Sequence, residues 1–338
     1  MRKEWRLFYA TDFQSLMYPC FTFCRILGIF PYKINDSIFQ ASKPHYVLSI
    51  IIVSALCVID LRDLYQSNIF MKITNFEVVT KSLDDNCYDI LVSFITIVTF
   101  VLSSPRMRLL QTIMEISSTL PPESYQKLSR LIHAKDIFGL FYLIGTLFIY
   151  FYVMHNGVFN IMFTVYTVLL VFTMDMLYMN CVCILKACFK EINNNLLHMQ
   201  KFIVNNEPRV PIMFYEHRNI FLIMNLKALK KQHLMISNTV QMLNTIFSAQ
   251  LLATIVLTFS EIIFDLLYFN VVQYNKYDGL FINLNKEVGV ILSGTMYYFT
   301  KIGLLVWSCE TGKNQAQEIR TTIHDVLNIS RDKQIKNE

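Results

Sequence analysis

Glu261 and Asp265 stand four residues apart inside an otherwise apolar run, so a helix would present both carboxylates on one face. Two more ionisable side chains, Asp175 and Lys301, lie inside separate apolar runs. A charge in the interior of a bilayer costs about 2.5 kcal/mol or more, so each of these needs a partner or water. Around them the sequence places Tyr150, Tyr152, Phe159, Tyr166, Tyr268, Tyr297 and Tyr298. Aromatic walls with a few polar groups are how pockets for small organic molecules are built. The same residues also form the aromatic belts at membrane surfaces. The chemistry on offer is recognition rather than catalysis. The chain has no H-E-x-x-H, no phosphate-binding glycine loop and no nucleophile elbow, so no enzyme activity and no cofactor are expected.

The elements that must hold these residues are membrane spans. Of 338 residues, 54% are hydrophobic and only 16% charged, against about 25% charged in soluble domains. A spanning helix needs roughly 20 mostly apolar residues. Six stretches qualify, at 45–64, 87–103, 137–154, 158–186, 243–269 and 288–308. The first is the weakest, because Asp60, Arg62 and Asp63 crowd its end. The expected fold is all-α, a polytopic helical bundle with long helical extensions on one side.

Lys and Arg set the orientation. If each stretch crosses once, 24 of the 30 basic residues fall on one face and five on the other, with Lys301 inside a span. The N-terminus and the basic 187–242 segment are therefore expected in the cytosol. The positive net charge is read as cytosolic retention, not nucleic-acid binding. The chain then divides into a tail at 1–44 with a short amphipathic helix, spans at 45–186, an anchor segment at 187–242, two spans at 243–308 and a tail at 309–338. His155-Asn156-Gly157 reads as a tight turn, and Pro208 and Pro211 read as a break between two helices. No Gly or Pro interrupts Tyr215 to Tyr268, so one helix should run about 54 residues, roughly 80 Å.

On this topology Glu261 and Asp265 fall in the outer half of the fifth span. Two readings stand. They line a water-filled cavity that meets a polar or cationic ligand, or they are hydrogen-bonded between helices, with Asp265 able to reach the headgroups. Asp175 and Lys301 lie in the inner half at similar depth and can pair, although the long lysine stem favours snorkelling to the inner surface. The eight cysteines suggest no zinc set. The sequons at Asn35 and Asn328 fall on the cytosolic face and are read as chance.

Several segments resemble the insect gustatory receptor family, within the insect chemoreceptor superfamily. They are Lys231-Gln232-His233-Leu234, then Leu243 to Leu252 (LNTIFSAQLL), Tyr268-Phe269, Cys309-Glu310, Ala316 and Thr321 to Leu327 (TTIHDVL). Leu16-Met17-Tyr18-Pro19 and Leu27-Gly28 resemble the start of such receptors. The resemblance implies a subunit of a homo- or hetero-tetrameric, ligand-gated cation channel in the plasma membrane of gustatory receptor neurons, in contact with membrane lipid. It implies a small-molecule tastant as ligand, a pocket in the outer half of the bundle, seven helices, and a pore lined by the last. The sequence ends at Glu338 without a seventh apolar span or the family's closing signature. It is expected to be incomplete, and no pore residue is carried over. An odorant receptor of the same superfamily is the near alternative. A secondary transporter is the distant one, disfavoured by spans without internal repeats or paired breaks.

Overall fold

In the computed structural model, residues 8–35, 38–70, 76–153, 157–205, 212–277 and 284–329 are described. Eight helices and one hairpin follow in the order α1 (Phe13–Ile26), β1 (Tyr32–Asn35), β2 (Ile38–Ala41), α2 (Lys43–Phe70), α3 (Phe76–Val101), α4 (Ser103–Ser117), α5 (Pro122–Val153), α6 (Val158–Asn205), α7 (Ile212–Tyr277) and α8 (Leu284–Ile329). The all-α expectation holds, apart from the short antiparallel hairpin that pairs Tyr32 with Ala41 and Ile34 with Phe39.

Helices α5, α6, α7 and α8 are each long and apolar enough to cross a membrane. The bent pair α3 and α4 makes a fifth span if it is one crossing. Helix α2 covers the stretch 45–64, the weakest of the six expected spans, and does not meet the same measure, so four or five of the six are found among the described residues. The protein is thus a multi-pass membrane helical bundle. The 62° bend after Val101 has a local cause. Pro105 has no N–H for the carbonyl of Val101 and its ring clashes there, so α3 cannot continue and α4 starts afresh with the proline in its first turn.

Helix α6 is the axis of the bundle. Every residue from Leu170 to Cys181 is buried. A helix that is apolar on all sides is stable only when neighbours surround it. Here α8, α7, α5, α4 and α1 do so. Helix α7 runs unbroken for 66 residues, longer than the sequence suggested. Beyond the apolar stretches, α6, α7 and α8 continue at the basic end, where Ile192, Leu196, Ile236 and Ile319 remain buried. The proposed turn at His155-Asn156 and the prolines at 208 and 211 lie outside the described residues, as do Ser37 and Ser330 of the two sequons.

The segment read as a tail is folded against the bundle. Helix α1 starts with a capping box: Asp12 Oδ1 accepts from the Ser15 N–H at 2.8 Å, and Ser15 Oγ accepts from the Asp12 N–H at 3.2 Å. One face of α1 (Phe13, Leu16, Met17, Cys20, Phe21, Cys24) is buried, on α6, α5 and α4. Tyr18 and Ile26 stay on its exposed face. Helix α1 ends in a Schellman motif. The Ile29 N–H reaches the Cys24 carbonyl and the Gly28 N–H the Arg25 carbonyl, both at 3.0 Å. Gly28 holds φ +68°, and its carbonyl accepts from Ser49 Oγ of α2. His133 of α5 ties down the other end. Its Nδ1 accepts from the Phe8 N–H at 3.2 Å, and its Nε2 lies 3.0 Å from the Leu16 carbonyl.

Candidate functional site

Residues 295–301 of α8 face two polar groups at once. Thr295 and Tyr298 turn toward α7. Tyr297 and Lys301, four residues apart and therefore on one face, turn toward α5 and α6.

On the α7 side, Thr295 Oγ1 donates to Asp265 Oδ2 at 2.9 Å, and the Tyr298 hydroxyl donates to Glu261 Oε2 at 3.0 Å. Both carboxylates of the acidic pair therefore serve as acceptors between helices. Asp84 and Asp85 of α3 are close enough to act on Glu261 electrostatically. Nearby, the Tyr88 hydroxyl lies 3.1 Å from Thr167 Oγ1 and links α3 to α6.

On the other side, Lys301 Nζ lies 3.0 Å from Asp175 Oδ2. Asp175 is 1% exposed and Lys301 8%. The snorkelling expected of Lys301 does not occur, because its amine has a buried carboxylate within reach on α6 and the desolvated pair neutralises itself. The pair borders a cavity of about 20 Å³ between α5, α6 and α8, by the measure in which one water needs roughly 10–15 Å³. Tyr142 and Tyr297 stack across it with ring centroids 6.2 Å apart. Phe172, Met176, Met179 and Leu304 supply the apolar wall. Gly139 lets α5 approach α6 here: a Cβ on it would lie 3.0 Å from Met176 Cε and 3.1 Å from the Phe172 ring.

Below the cavity runs a second polar chain. Lys135 Nζ pairs with Asp136, Asp136 Oδ2 accepts from Asn180 Nδ2 at 2.9 Å, and Lys135 Nζ also lies 3.1 Å from Met176 Sδ. A third buried cation, Arg106, sits at the elbow between α3 and α4. It donates to the Thr99 carbonyl at 3.1 Å and to Gln250 Oε1 at 3.2 Å, with the Phe247 ring 4.9 Å from its guanidinium carbon.

The remaining aromatics scatter. Tyr166 donates to the Leu27 carbonyl at 2.6 Å and so holds the end of α1. Tyr152 and Phe159 are 70% and 57% exposed and point away from the bundle. Tyr150 packs edge-on against Phe151. Tyr268 is half-buried near the end of α7. Of the residues singled out in the sequence, the structure gathers Tyr297, Asp175 and Lys301 at the cavity, and Glu261, Asp265 and Tyr298 beside it. Sequence reasoning missed Gly139, Tyr142 and the Lys135–Asp136–Asn180 chain. The signal for that chain was two adjacent charges at the mouth of an apolar stretch, which look like an ordinary helix end. All eight cysteines are free, and no metal-binding group occurs among the described residues.

Residues 17–338 match the family described as 7tm Chemosensory receptor. Among curated proteins, no relative matches the chain. The match covers all of the bundle except the first turn of α1, and includes both faces of α8.

Proposed function

The chain belongs to the 7tm chemosensory receptor family, and on that premise we propose that it is a gustatory receptor, a subunit of a ligand-gated cation channel in the plasma membrane of taste neurons. A receptor of this family works by binding a small molecule rather than by catalysis. We place that molecule in the cavity beside Asp175 and Lys301, deeper than the outer-half pocket that the resemblance implies. The observation that carries this placement is a buried ion pair opening onto an aromatic cavity inside the bundle. Tetrameric assembly and contact with membrane lipid belong to the same reading. They are supported by the exposed apolar face of α7, where Leu252, Phe259 and Ile263 point outward. The acidic pair is proposed to couple this site to α7, since Tyr297 and Tyr298 are adjacent and their rings lie 5.4 Å apart.

The test is a response assay with the chain co-expressed beside related subunits, read by calcium imaging against a tastant panel and a volatile panel. A response to tastants supports the gustatory reading, and a response to volatiles alone supports an odorant receptor. Tyr297→Ala should raise the effective concentration of an active compound by about tenfold or more, the loss expected for an aromatic wall of a binding pocket. Glu261→Gln and Asp265→Asn keep acceptor oxygens for Tyr298 and Thr295, so surface expression should be retained while the response amplitude changes. An unchanged dose–response in all three variants would remove both the site and the coupling role.

The charge asymmetry supports a cytosolic N-terminus. An epitope tag on Met1 should be invisible to antibody on intact cells, and one inserted at Asn75 should be visible. A glycan on Asn35 or Asn328 would reverse the orientation.

A further inference from the structure

Lys301 has three N–H donors and one carboxylate beside it. Among the described residues, no other group lies within bonding reach of its amine. Two donors therefore remain unspent on a side chain that is 8% exposed and lines the cavity. The charge of the site, by contrast, is already balanced by Asp175. From this combination we infer that the cavity takes a ligand that is neutral overall, with an apolar or aromatic body and a single hydroxyl or carbonyl that accepts from Lys301. This rests on the placement of the ligand site argued above.

Each alternative ligand class meets a specific obstacle. A carboxylate would bring a second anion to one lysine and leave an uncompensated charge in the bundle interior. An ammonium would do the same at Asp175, with Lys301 repelling it. A sugar carries many hydroxyls into walls made of Phe172, Met176, Met179 and Leu304, where most would lose their water without gaining a partner. A neutral molecule with one acceptor avoids all three costs and fills the donors that are free. Its body is accommodated by the two methionines, whose unbranched side chains can move aside to enlarge a cavity now only water-sized.

The experiment uses the full chain in lipid nanodiscs and measures ligand-induced thermal stabilisation over a concentration series. The probes are 2-phenylethanol, phenylacetate, 2-phenylethylammonium, phenylalanine and sucrose, the first four sharing one ring. The alcohol should bind at least roughly tenfold more tightly than the singly charged analogues, because only they leave a net charge in the pocket. Gly139→Ala and Leu304→Phe, which narrow the cavity from opposite walls, should each abolish alcohol binding. The two variants guard against one failing to fold. Tighter or equal binding of phenylacetate, 2-phenylethylammonium, phenylalanine or sucrose, still sensitive to Gly139→Ala, would overturn the ligand class and leave the site standing. Binding of no probe, or binding indifferent to both variants, would overturn the site itself.

Discussion

Lys301→Met should lower the stability of the bundle by about 3–5 kcal/mol, the cost of leaving one member of a buried ion pair alone. Asp175 is 1% exposed on the most buried helix of the protein, and the amine 3.0 Å away is the cation that balances it. Without that amine the carboxylate must protonate or draw water into the core. In a thermostability assay on detergent-solubilised protein, the single variant should melt far below the wild type or fail to reach the surface. Asp175→Asn with Lys301→Met removes both charges, and it should recover most of the loss. That recovery separates an ion-pair effect from the loss of the lysine stem. A double variant no better than the single one would mean that Lys301 stabilises by packing alone.

The second large effect is expected at Gly28→Val. Two costs combine there. At φ +68° any residue with a Cβ loses about 1–2 kcal/mol, and a β-branched one is least tolerated. The new Cβ would also stand 2.5 Å from Ile52 Cδ1 of α2, and overpacking of this kind costs about 1–3 kcal/mol. The Schellman turn, the Ser49 bond to the Gly28 carbonyl and the Tyr166 bond to the Leu27 carbonyl all depend on that turn. Hydrogen exchange should therefore rise across α1 and the hairpin before it rises in α6. Ile52→Ala should restore the contact part and leave the backbone part. Full rescue by Ile52→Ala would show that φ is not the main constraint, and no loss in Gly28→Val would remove both arguments.

The helical architecture was legible because it rests on composition. A run of 20 apolar residues has few alternatives, and the unbroken stretch from Tyr215 to Tyr268 announced α7 by lacking Gly and Pro. The pairing of side chains was harder to read. Lys301 has a stem long enough to reach the surface, and only the rotation of α8 about its axis, set by packing on α6, turns it to Asp175. That rotation is a tertiary quantity with no local signature. For the same reason Tyr152 and Tyr297, equivalent on paper, end on opposite sides, one 70% exposed and the other 8%. The hairpin at 32–41 was invisible because four-residue strands are too short to show alternation. The docking of α1 depends on His133, whose contacts with Phe8 and Leu16 span more than a hundred positions.

Helix α7 has a mechanical consequence. It is one unbroken helix, and Gln250, fully buried beside Arg106, is a natural fulcrum along it. From Gln250 to Ile212 at the basic end is about 57 Å at 1.5 Å per residue. A tilt of about 5° around that point swings the lower tip by about 5 Å, close to one helical turn. Glu261 and Asp265 sit only about 17–23 Å above the fulcrum, so the same tilt moves them by about 2 Å, enough to break the hydrogen bonds to Tyr298 and Thr295. The short arm of this lever carries the polar contacts near the cavity, and the long arm converts a rearrangement there into a displacement large enough to repack an interface.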